Sequence, residues 1–305
     1  MSHHLRAGLL AASIGAALTA MALAQPAPAP APAAPPAPPL FATTKVDGTD
    51  GVYVFRYQGH QAMFIVTPEG VIATDPIGER RPQAVTTYIA EIRKITQAPI
   101  RYVVYSHSHY DHIAGGKPFK DAGAIFVAHE NAKTLLTARK NPDIVIPDET
   151  VGNQRTITLG GTSLELNWVG KNHGLDTLIM RLPREKIIFT VDWIPINGIQ
   201  FRGMADTYIP DIEDSLQKVI AMDWDRMIPG HPGPGGRLGT KDDARAHLQY
   251  LKDLSAAVKE AVDAGKNYQE AMTGIKLPKY ESWPNYNAFL GMNIERYFDF
   301  WNRGI

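Results

Sequence analysis

The stretch YSHSHYDHIAGG, residues 105–116, constrains this chain more than any other segment. It follows the apolar run PIRYVVYS, which has the pattern of a buried β-strand and stops where the histidines begin. Three of the chain's 10 histidines, His107, His109 and His112, fall here together with Asp111. A pH-sensitive cluster and a solvated loop are alternatives. A divalent cation removes the repulsion between crowded imidazoles and prefers neutral imidazole and carboxylate ligands, so the stretch predicts a metal site.

Four ligands in one short loop cannot all close on a single tetrahedral ion, so further ligands are expected elsewhere. The candidates are polar residues that directly follow other apolar strands, where α/β folds build their sites. They are His173 after LELNWVG, Asp192 after KIIFTV and His231 after RMIPG. Taken alone, each has an ordinary alternative role: a structural histidine at His173 or His231, or a turn cap at Asp192.

The N-terminal part of the chain lacks the composition of a folded domain. Residues 1–24 join a basic start to an apolar run that ends in ALA, the pattern of a secretory signal peptide. Residues 25–43 are rich in Pro and Ala and predict an extended linker. We therefore expect a folded domain at 44–305, periplasmic or secreted, without a stable membrane anchor after cleavage. Because the apolar run is about 18 residues long, a membrane anchor is the alternative.

The predicted secondary structure alternates between strands and helices. Short runs rich in Val, Ile and aromatic residues predict strands, and RTITLGGTSLELNWVG predicts a hairpin turning at Gly160-Gly161. Helical spacing of apolar residues predicts helices at 81–96 and 240–265. The sequence contains two successive blocks, each with strands first and then alternating strands and helices. This pattern indicates a layered α/β protein with two sheets, each covered by helices.

Composition excludes several chemistries. The chain has no cysteine, so it has neither disulfides nor a thiolate nucleophile. Its formal net charge is zero and it has no basic run, so a nucleic-acid partner is not expected.

The ordered set H-x-H-x-D-H, then His173, then Asp192 after IFT, then PGH at His231 resembles the metallo-β-lactamase superfamily. The resemblance runs from Val52 to about His247. It implies a four-layer α+β fold, an αββα sandwich of two mixed β-sheets flanked by helices. It also implies two Zn²⁺ ions per chain, with iron or manganese as alternatives.

The resemblance assigns a role to each predicted ligand. The first zinc would be held by His107, His109 and His173. The second zinc would be held by Asp111, His112 and His231, and Asp192 would bridge the two ions. Asp75, in VIATDP, resembles the family residue that supports the ligand loop, although a turn residue is an equal alternative.

The implied activity is that of a dinuclear zinc hydrolase. A metal-bridging hydroxide would cleave a small ester, lactone, thioester or amide, and Asp111 would orient it. With Asp at position 192 the chain resembles the lactonases, glyoxalase II and the phosphodiesterases, whereas β-lactamases of this family usually carry Cys or Ser there. Weak β-lactamase activity is a further possibility. The alternatives are a mononuclear iron enzyme of the sulfur dioxygenase type and a non-catalytic metal-binding protein.

A small-molecule substrate is expected to meet the long segment 193–215. Trp193, Phe201 and Met204 are expected to form an apolar wall. Arg202 is the candidate for binding a substrate carboxylate, and Tyr208 is the candidate catalytic donor to a developing oxyanion. His60, from the segment RYQGHQAMF, is expected at the opposite rim of the cleft. Core packing is the alternative for the aromatic residues, and solvation for Arg202. The aromatic C-terminal segment is expected to pack on the domain or on a second subunit, which leaves a homo-oligomer open.

Overall fold

The computed structural model describes residues 38–304. The predicted signal peptide and residues 25–37 of the predicted linker lie outside the described residues. The compact unit begins at Pro39. Its first strand, β1 (Phe41–Lys45), starts before the predicted boundary at residue 44. This strand is specified by antiparallel pairing, from Phe41 opposite Tyr57 to Lys45 opposite Tyr53, rather than by its own apolar pattern.

The first sheet has seven strands in chain order. β1 to β4 are antiparallel to their neighbours, whereas β4 to β7 are parallel. After β1 these strands are β2 (Val52–Tyr57), β3 (His60–Thr67), β4 (Gly70–Thr74), β5 (Ile100–Val104), β6 (Ile125–His129) and β7 (Glu149–Val151). Side chains alternate between the two faces of a strand, and every described residue of β4 is buried because both faces of this sheet are covered.

The second sheet has five strands in the order β12-β11-β10-β9-β8. They are β8 (Gln154–Leu159), β9 (Thr162–Trp168), β10 (Leu178–Leu182), β11 (Ile187–Thr190) and β12 (Arg226–Pro229). All neighbours are antiparallel except β11 and β12. The predicted β8–β9 hairpin is confirmed. Both turn residues, Gly160 and Gly161, have positive φ, which a two-residue hairpin turn requires and glycine permits.

Eight α-helices are present in the described part of the chain. They are α1 (Pro82–Ile95), α2 (Tyr110–Ile113), α3 (Lys117–Asp121), α4 (Glu130–Arg139), α5 (Ile209–Ala221), α6 (Lys241–Asp263), α7 (Tyr268–Gly274) and α8 (Tyr286–Arg303). α6 begins with a capping box, in which Thr240 and Asp243 satisfy each other's backbone N–H groups. Among the residues described, no helix is long and apolar enough to cross a bilayer.

Three apolar layers connect these elements. Inward residues of both sheets, such as Met63, Val104 and Phe189, form the middle layer. The outer face of the first sheet packs on α1, α3 and α4. The outer face of the second sheet packs on α5, α6 and α8, with Leu216 and Leu254 fully buried there. The order helix, sheet, sheet, helix confirms the predicted αββα sandwich.

Strand ends determine where the polar residues meet. β4 and β5 are parallel neighbours, so Asp75 after β4 lies beside the loop after β5. β11 and β12 are also parallel, which brings Asp192 beside the loop that contains His231. The carboxyl ends of these four strands face one edge of the sandwich, where the candidate site lies.

Candidate metal centre

The orientation of His107 is set by a hydrogen-bonded chain through Ser106 to Asp75. The N–H of Ser106 donates to Oδ1 of Asp75 at 2.8 Å, and Oγ of Ser106 lies 2.9 Å from Nδ1 of His107. Nε2 of His107 is thereby turned towards Asp192, 3.4 Å from its Oδ2. Asp75 is fully buried, and burial raises its pKa to about 6. This contact joins Asp75 to the ligand loop, where the resemblance implies a supporting role.

His109 and His173 complete the first ligand set, which we define as His107, His109 and His173. Nδ1 of His109 lies 3.1 Å from Nε2 of His173, and that Nε2 is 3.5 Å from Oδ2 of Asp192. The donor atoms of this set and of Asp192 all lie within 4.8 Å of one another. Four donors at this spacing match the number that tetrahedral zinc takes.

The second ligand set is Asp111, His112 and His231. Asp111 and His112 lie on the single-turn helix α2, and Nη2 of Arg81 donates to the backbone oxygen of Asp111 at 2.6 Å. Nδ1 of His231 lies 2.6 Å from the oxygen of Gly59, so it donates there and leaves Nε2 free as a ligand atom. These three side chains and His60 offer donor atoms within 4.8 Å of one another.

Asp192 lies between the two sets. Its Oδ2 faces the first set, whereas its Oδ1 lies 3.0 Å from Nε2 of His231 and 3.1 Å from Nε2 of His112. Asp192 has a φ of 73°, a left-handed conformation that Asp and Asn tolerate better than other non-glycine residues. Nε2 of Gln200 donates to its backbone oxygen at 2.8 Å. The carboxylate is therefore directed to the position that a bridging ligand would occupy.

The charges at this centre are strongly coupled. Burial alone would lower the pKa of His112, but the carboxylates of Asp192, Asp111 and Asp75 raise it to about 9. Burial lowers the pKa of His107 to about 3, against the effect of Asp192. Burial would raise the pKa of Asp192, yet the surrounding histidines, His112 first, hold it well below its ordinary range.

The residues fit a metal centre on their own geometry. Nε2 of His107, Nε2 of His112 and Oδ1 of Asp192 are buried, and none has a hydrogen-bond partner. Buried polar atoms are almost always paired, so three unpaired atoms around one point indicate that a cation completes them. Neutral imidazoles and carboxylates are the ligands that zinc and similar divalent ions take.

A cavity of about 900 Å³ opens above this centre. His109, Asp111, His173, Asp192 and His231 line its floor. Its walls are largely apolar, from Ile194, Pro195, Ile196, Ile199, Phe201, Met204, Pro232, Pro234 and Pro284. The predicted wall residues Phe201 and Met204 and the predicted contact Arg202 lie there.

Two predicted substrate contacts do not lie at the cavity. Trp193 is fully buried in the helical core, where its Nε1 donates to Oγ1 of Thr190 at 2.8 Å. Trp193 was expected in the cavity wall, but its side chain packs into the core directly after the left-handed backbone of Asp192. Tyr208 precedes α5, and its ring lies 4.3 Å from Nζ of Lys171. This placement does not fit the catalytic role predicted for Tyr208, because its side chain does not line the cavity.

The sequence pattern alone did not indicate some contributors to the site. Arg81, which begins the turn before α1, and Gly59, which supplies only a backbone oxygen, are two of these. Asp206 lines the cavity, with Oδ2 3.8 Å from Nε2 of His109. The only sequence feature that could have indicated a site role for Asp206 is its position in the long segment after Asp192.

Known proteins identify the family of this chain. The sequence profile of the metallo-β-lactamase superfamily matches residues 57–231, which include all seven predicted ligands. The chain belongs to the metallo-β-lactamase superfamily. This confirms the resemblance on which the ligand roles were based.

Individual relatives are more distant. The chain is 25% identical to the 2,4-dinitroanisole O-demethylase subunit alpha of Nocardioides sp. (strain JS1661), over 60% of this chain and 53% of that protein. It is also 25% identical to a type 2 metallo-β-lactamase of Bacillus sp. (strain 170), over 61% of this chain and 70% of that protein. The chain therefore spans about half the length of the demethylase subunit.

A solved structure shows how far the fold extends. The stereoselective inverting sec-alkylsulfatase from Pseudomonas sp. matches with a TM-score of 0.68 at 15% identity, covering 85% of this chain and 50% of that one. At this level of identity the likeness shows that the two proteins share a fold, and it says nothing about the substrate of this chain.

Proposed function

We propose that this chain is a dinuclear metal hydrolase, with two Zn²⁺ ions, that cleaves a small ester, lactone, thioester or amide. The observation that carries the proposal is the position of Asp192, whose two carboxylate oxygens each face a different ligand set. A mononuclear iron site needs only one set. The second set, with Asp111 and His112 beside the same carboxylate, favours two ions over one.

When bound, a pair of divalent ions supplies a Lewis acid and a coordinated water of lowered pKa. The chain's own residues then direct the reaction. Asp111 lines the cavity floor with a side chain that is 34% exposed, so its carboxylate is placed to accept a hydrogen bond from the attacking water and orient it. His107 and His112 are buried, so bulk water does not reach their side chains.

The cavity walls favour a substrate with an apolar acyl or aryl part. Phe201 is 67% exposed at the wall, and its ring contacts Phe289 edge-on at a centroid distance of 5.2 Å. Burying an apolar group of the substrate against such a wall contributes about 25 cal/mol per Å². Arg202 lines the same wall and would pair with a carboxylate if the substrate has one.

Turnover by the metal-loaded and metal-depleted protein tests this function. Lactones, thioesters, aryl esters and β-lactams of increasing apolar size are offered to both forms. We expect hydrolysis only by the loaded form, restored by zinc, with kcat/KM rising as the apolar part grows. Oxygen uptake with a persulfide substrate and an iron-loaded protein would instead support the sulfur dioxygenase alternative, and no turnover with any metal would support a non-catalytic metal-binding protein.

Export of the chain is part of the proposal. The apolar run after Arg6 and its ALA ending support cleavage after Ala24 and a periplasmic or secreted domain. Mass spectrometry of the protein recovered from the periplasmic fraction and from the membrane fraction tests this. Mature protein beginning at Gln25 in the periplasm is the expected result, and full-length protein in the membrane would contradict it.

A further inference from the structure

His60 lies within the second ligand set although it is not part of the ligand pattern. It is the first residue of β3, and its side chain is 16% exposed. Its Nε2 lies 3.1 Å from Oδ2 of Asp111. The ring centroid is 4.5 Å from that of His231 and 5.2 Å from that of His112. A nearly buried histidine in contact with three candidate ligands needs a physical explanation.

The contact between His60 and Asp111 differs from the other contacts around it. It has the geometry of a hydrogen bond. Nε2 of His112 approaches the same Oδ2 to 3.3 Å and Oδ1 of Asp192 to 3.1 Å, yet it has no hydrogen-bond partner. Nε2 of His112 is thus close to two carboxylates without hydrogen-bond alignment, as expected of a metal ligand. The ring of His60 is instead aligned with the carboxylate oxygen itself.

The turn that carries His60 is fixed to the ligand loop of the other sheet. The oxygen of Gly59 accepts from Nδ1 of His231 at 2.6 Å. The N–H of Gln61 donates to the oxygen of Gly230 at 2.7 Å, and its Nε2 donates to the oxygen of Pro229 at 2.8 Å. Residues on both sides of His60 are therefore bound to the end of β12. The backbone that carries the imidazole is therefore held by three hydrogen bonds that join the two sheets.

We propose that His60 is a positioning residue that donates its Nε2–H to Oδ2 of Asp111 and thereby fixes this carboxylate for the second metal ion. The inference rests on the proposed dinuclear function. Without the donor, Asp111 can rotate towards solvent, because its side chain is already 34% exposed. Loss of a hydrogen bond to a metal ligand typically lowers metal affinity about 10- to 100-fold.

Zinc titration of the metal-free protein tests the proposal without relying on turnover. A chromophoric chelator competes for zinc with the unsubstituted protein, His60→Phe, His60→Ala and His60→Gln. Gln58→Asn, an exposed residue of the same turn with a φ of 52°, is the matched control. Glutamine places an amide donor near the position of Nε2, whereas Phe and Ala have no donor. Thermal unfolding of the metal-free forms identifies any variant that does not fold.

We expect two zinc ions per unsubstituted chain, with affinity for one of them about 10- to 100-fold lower in His60→Phe and His60→Ala. His60→Gln should recover most of that affinity, and Gln58→Asn should bind as the unsubstituted protein does. The absorption bands of the Co²⁺ form should be the same in His60→Gln, because no ligand is removed.

Three results would overturn the proposal in distinguishable ways. Unchanged affinity in both His60→Phe and His60→Ala would show that the hydrogen bond does not matter. Co²⁺ bands altered in His60→Gln, with affinity as low as in His60→Phe, would make His60 a ligand and not a donor. An unsubstituted protein that binds no zinc would overturn the dinuclear function itself, and this inference with it.

Discussion

His112 and His247 are both fully buried, but the protein surrounds them differently. His112 lies among Asp111, Asp192 and Asp75, whose carboxylates outweigh burial and raise its pKa to about 9. His247 lies on α6, where its ring stacks against that of Tyr250 at a centroid distance of 5.9 Å. Burial lowers its pKa to about 3, and contact with the backbone of Trp193 offsets only part of the effect. Burial of a histidine is therefore not evidence of a site, whereas several donors converging on one point are.

Removing the charge that joins both ligand sets should have the largest effect. Asp192→Asn keeps the size of the side chain and tolerates the left-handed φ of 73°, so it isolates the carboxylate from backbone strain. We expect both metal sites to weaken and kcat/KM to fall by roughly 10³-fold or more, because bound metal contributes several kcal/mol to the transition state. Steady-state kinetics and metal analysis check this. Full activity in Asp192→Asn would remove its bridging role.

Removing one member of the second ligand set should affect one metal only. His112→Ala takes a single imidazole from that set and leaves His107, His109 and His173 in place. Metal content is expected to fall from about two ions to about one per chain, with turnover reduced by about 100-fold or more. Elemental analysis of the folded variant gives the result. If both ions were lost, the two sets would not be separate sites.

His247→Gln should leave metal content and turnover unchanged and alter only the response to acid. The pKa of His247 in the folded state is about 3, below its ordinary 6.5, so the unfolded chain binds more protons between these values. Stability from this group is full above pH 6.5 and is lost as pH falls towards 3. The slope is at most about 1.4 kcal/mol per pH unit.

The check on His247→Gln is urea unfolding of both metal-free proteins at pH 7 and pH 5. Between these values we expect the unsubstituted protein to lose roughly 2 kcal/mol more than the variant does. Ligand histidines titrate equally in both proteins, so the difference isolates His247. Equal losses would mean that the pKa of His247 is the same in the folded and unfolded states, and lower metal content would place His247 in the metal centre.

The smallest effect is expected at the start of the same helix. Oγ1 of Thr240 accepts from the N–H of Asp243, and Oδ2 of Asp243 accepts from the N–H of Thr240 at 2.8 Å. Thr240→Ala should lower the free energy of unfolding by about 1 kcal/mol. Metal content should not change, because the side-chain hydrogen bonds of Thr240 at the start of α6 are made with Asp243 and with no described residue of the metal centre. Loss of metal in Thr240→Ala would show that the two regions are coupled.

Much of this molecule was predictable from sequence, for a physical reason. Ligands such as His107 and Asp192 follow apolar strands directly, and buried strands have strong patterns, so the structure brings together the residues that the pattern selected. β7 has only three residues, and β1 is mostly exposed, so neither has a pattern to detect. Side-chain direction after a strand was not predictable, which is why Trp193 was expected in the cavity wall and lies in the core.

Contacts that depend on tertiary structure escaped prediction for a related reason. The hydrogen bond from His231 to the oxygen of Gly59 joins residues that are 172 positions apart. No local pattern indicates which backbone oxygen an imidazole will meet. His60 was expected at the rim of the cleft opposite the long segment, but its alignment with Asp111 follows from how the two sheets pack and was not predictable.

Metal content of the unsubstituted protein, purified without chelator and measured by elemental mass spectrometry, tests the central claim most directly. The two ligand sets that share Asp192 predict about two zinc ions per chain. About one iron per chain would contradict the dinuclear zinc centre and favour the oxidoreductase alternative. No bound metal, with none taken up after incubation with Zn²⁺, Fe²⁺ or Mn²⁺, would show that the converging histidines do not form a metal centre.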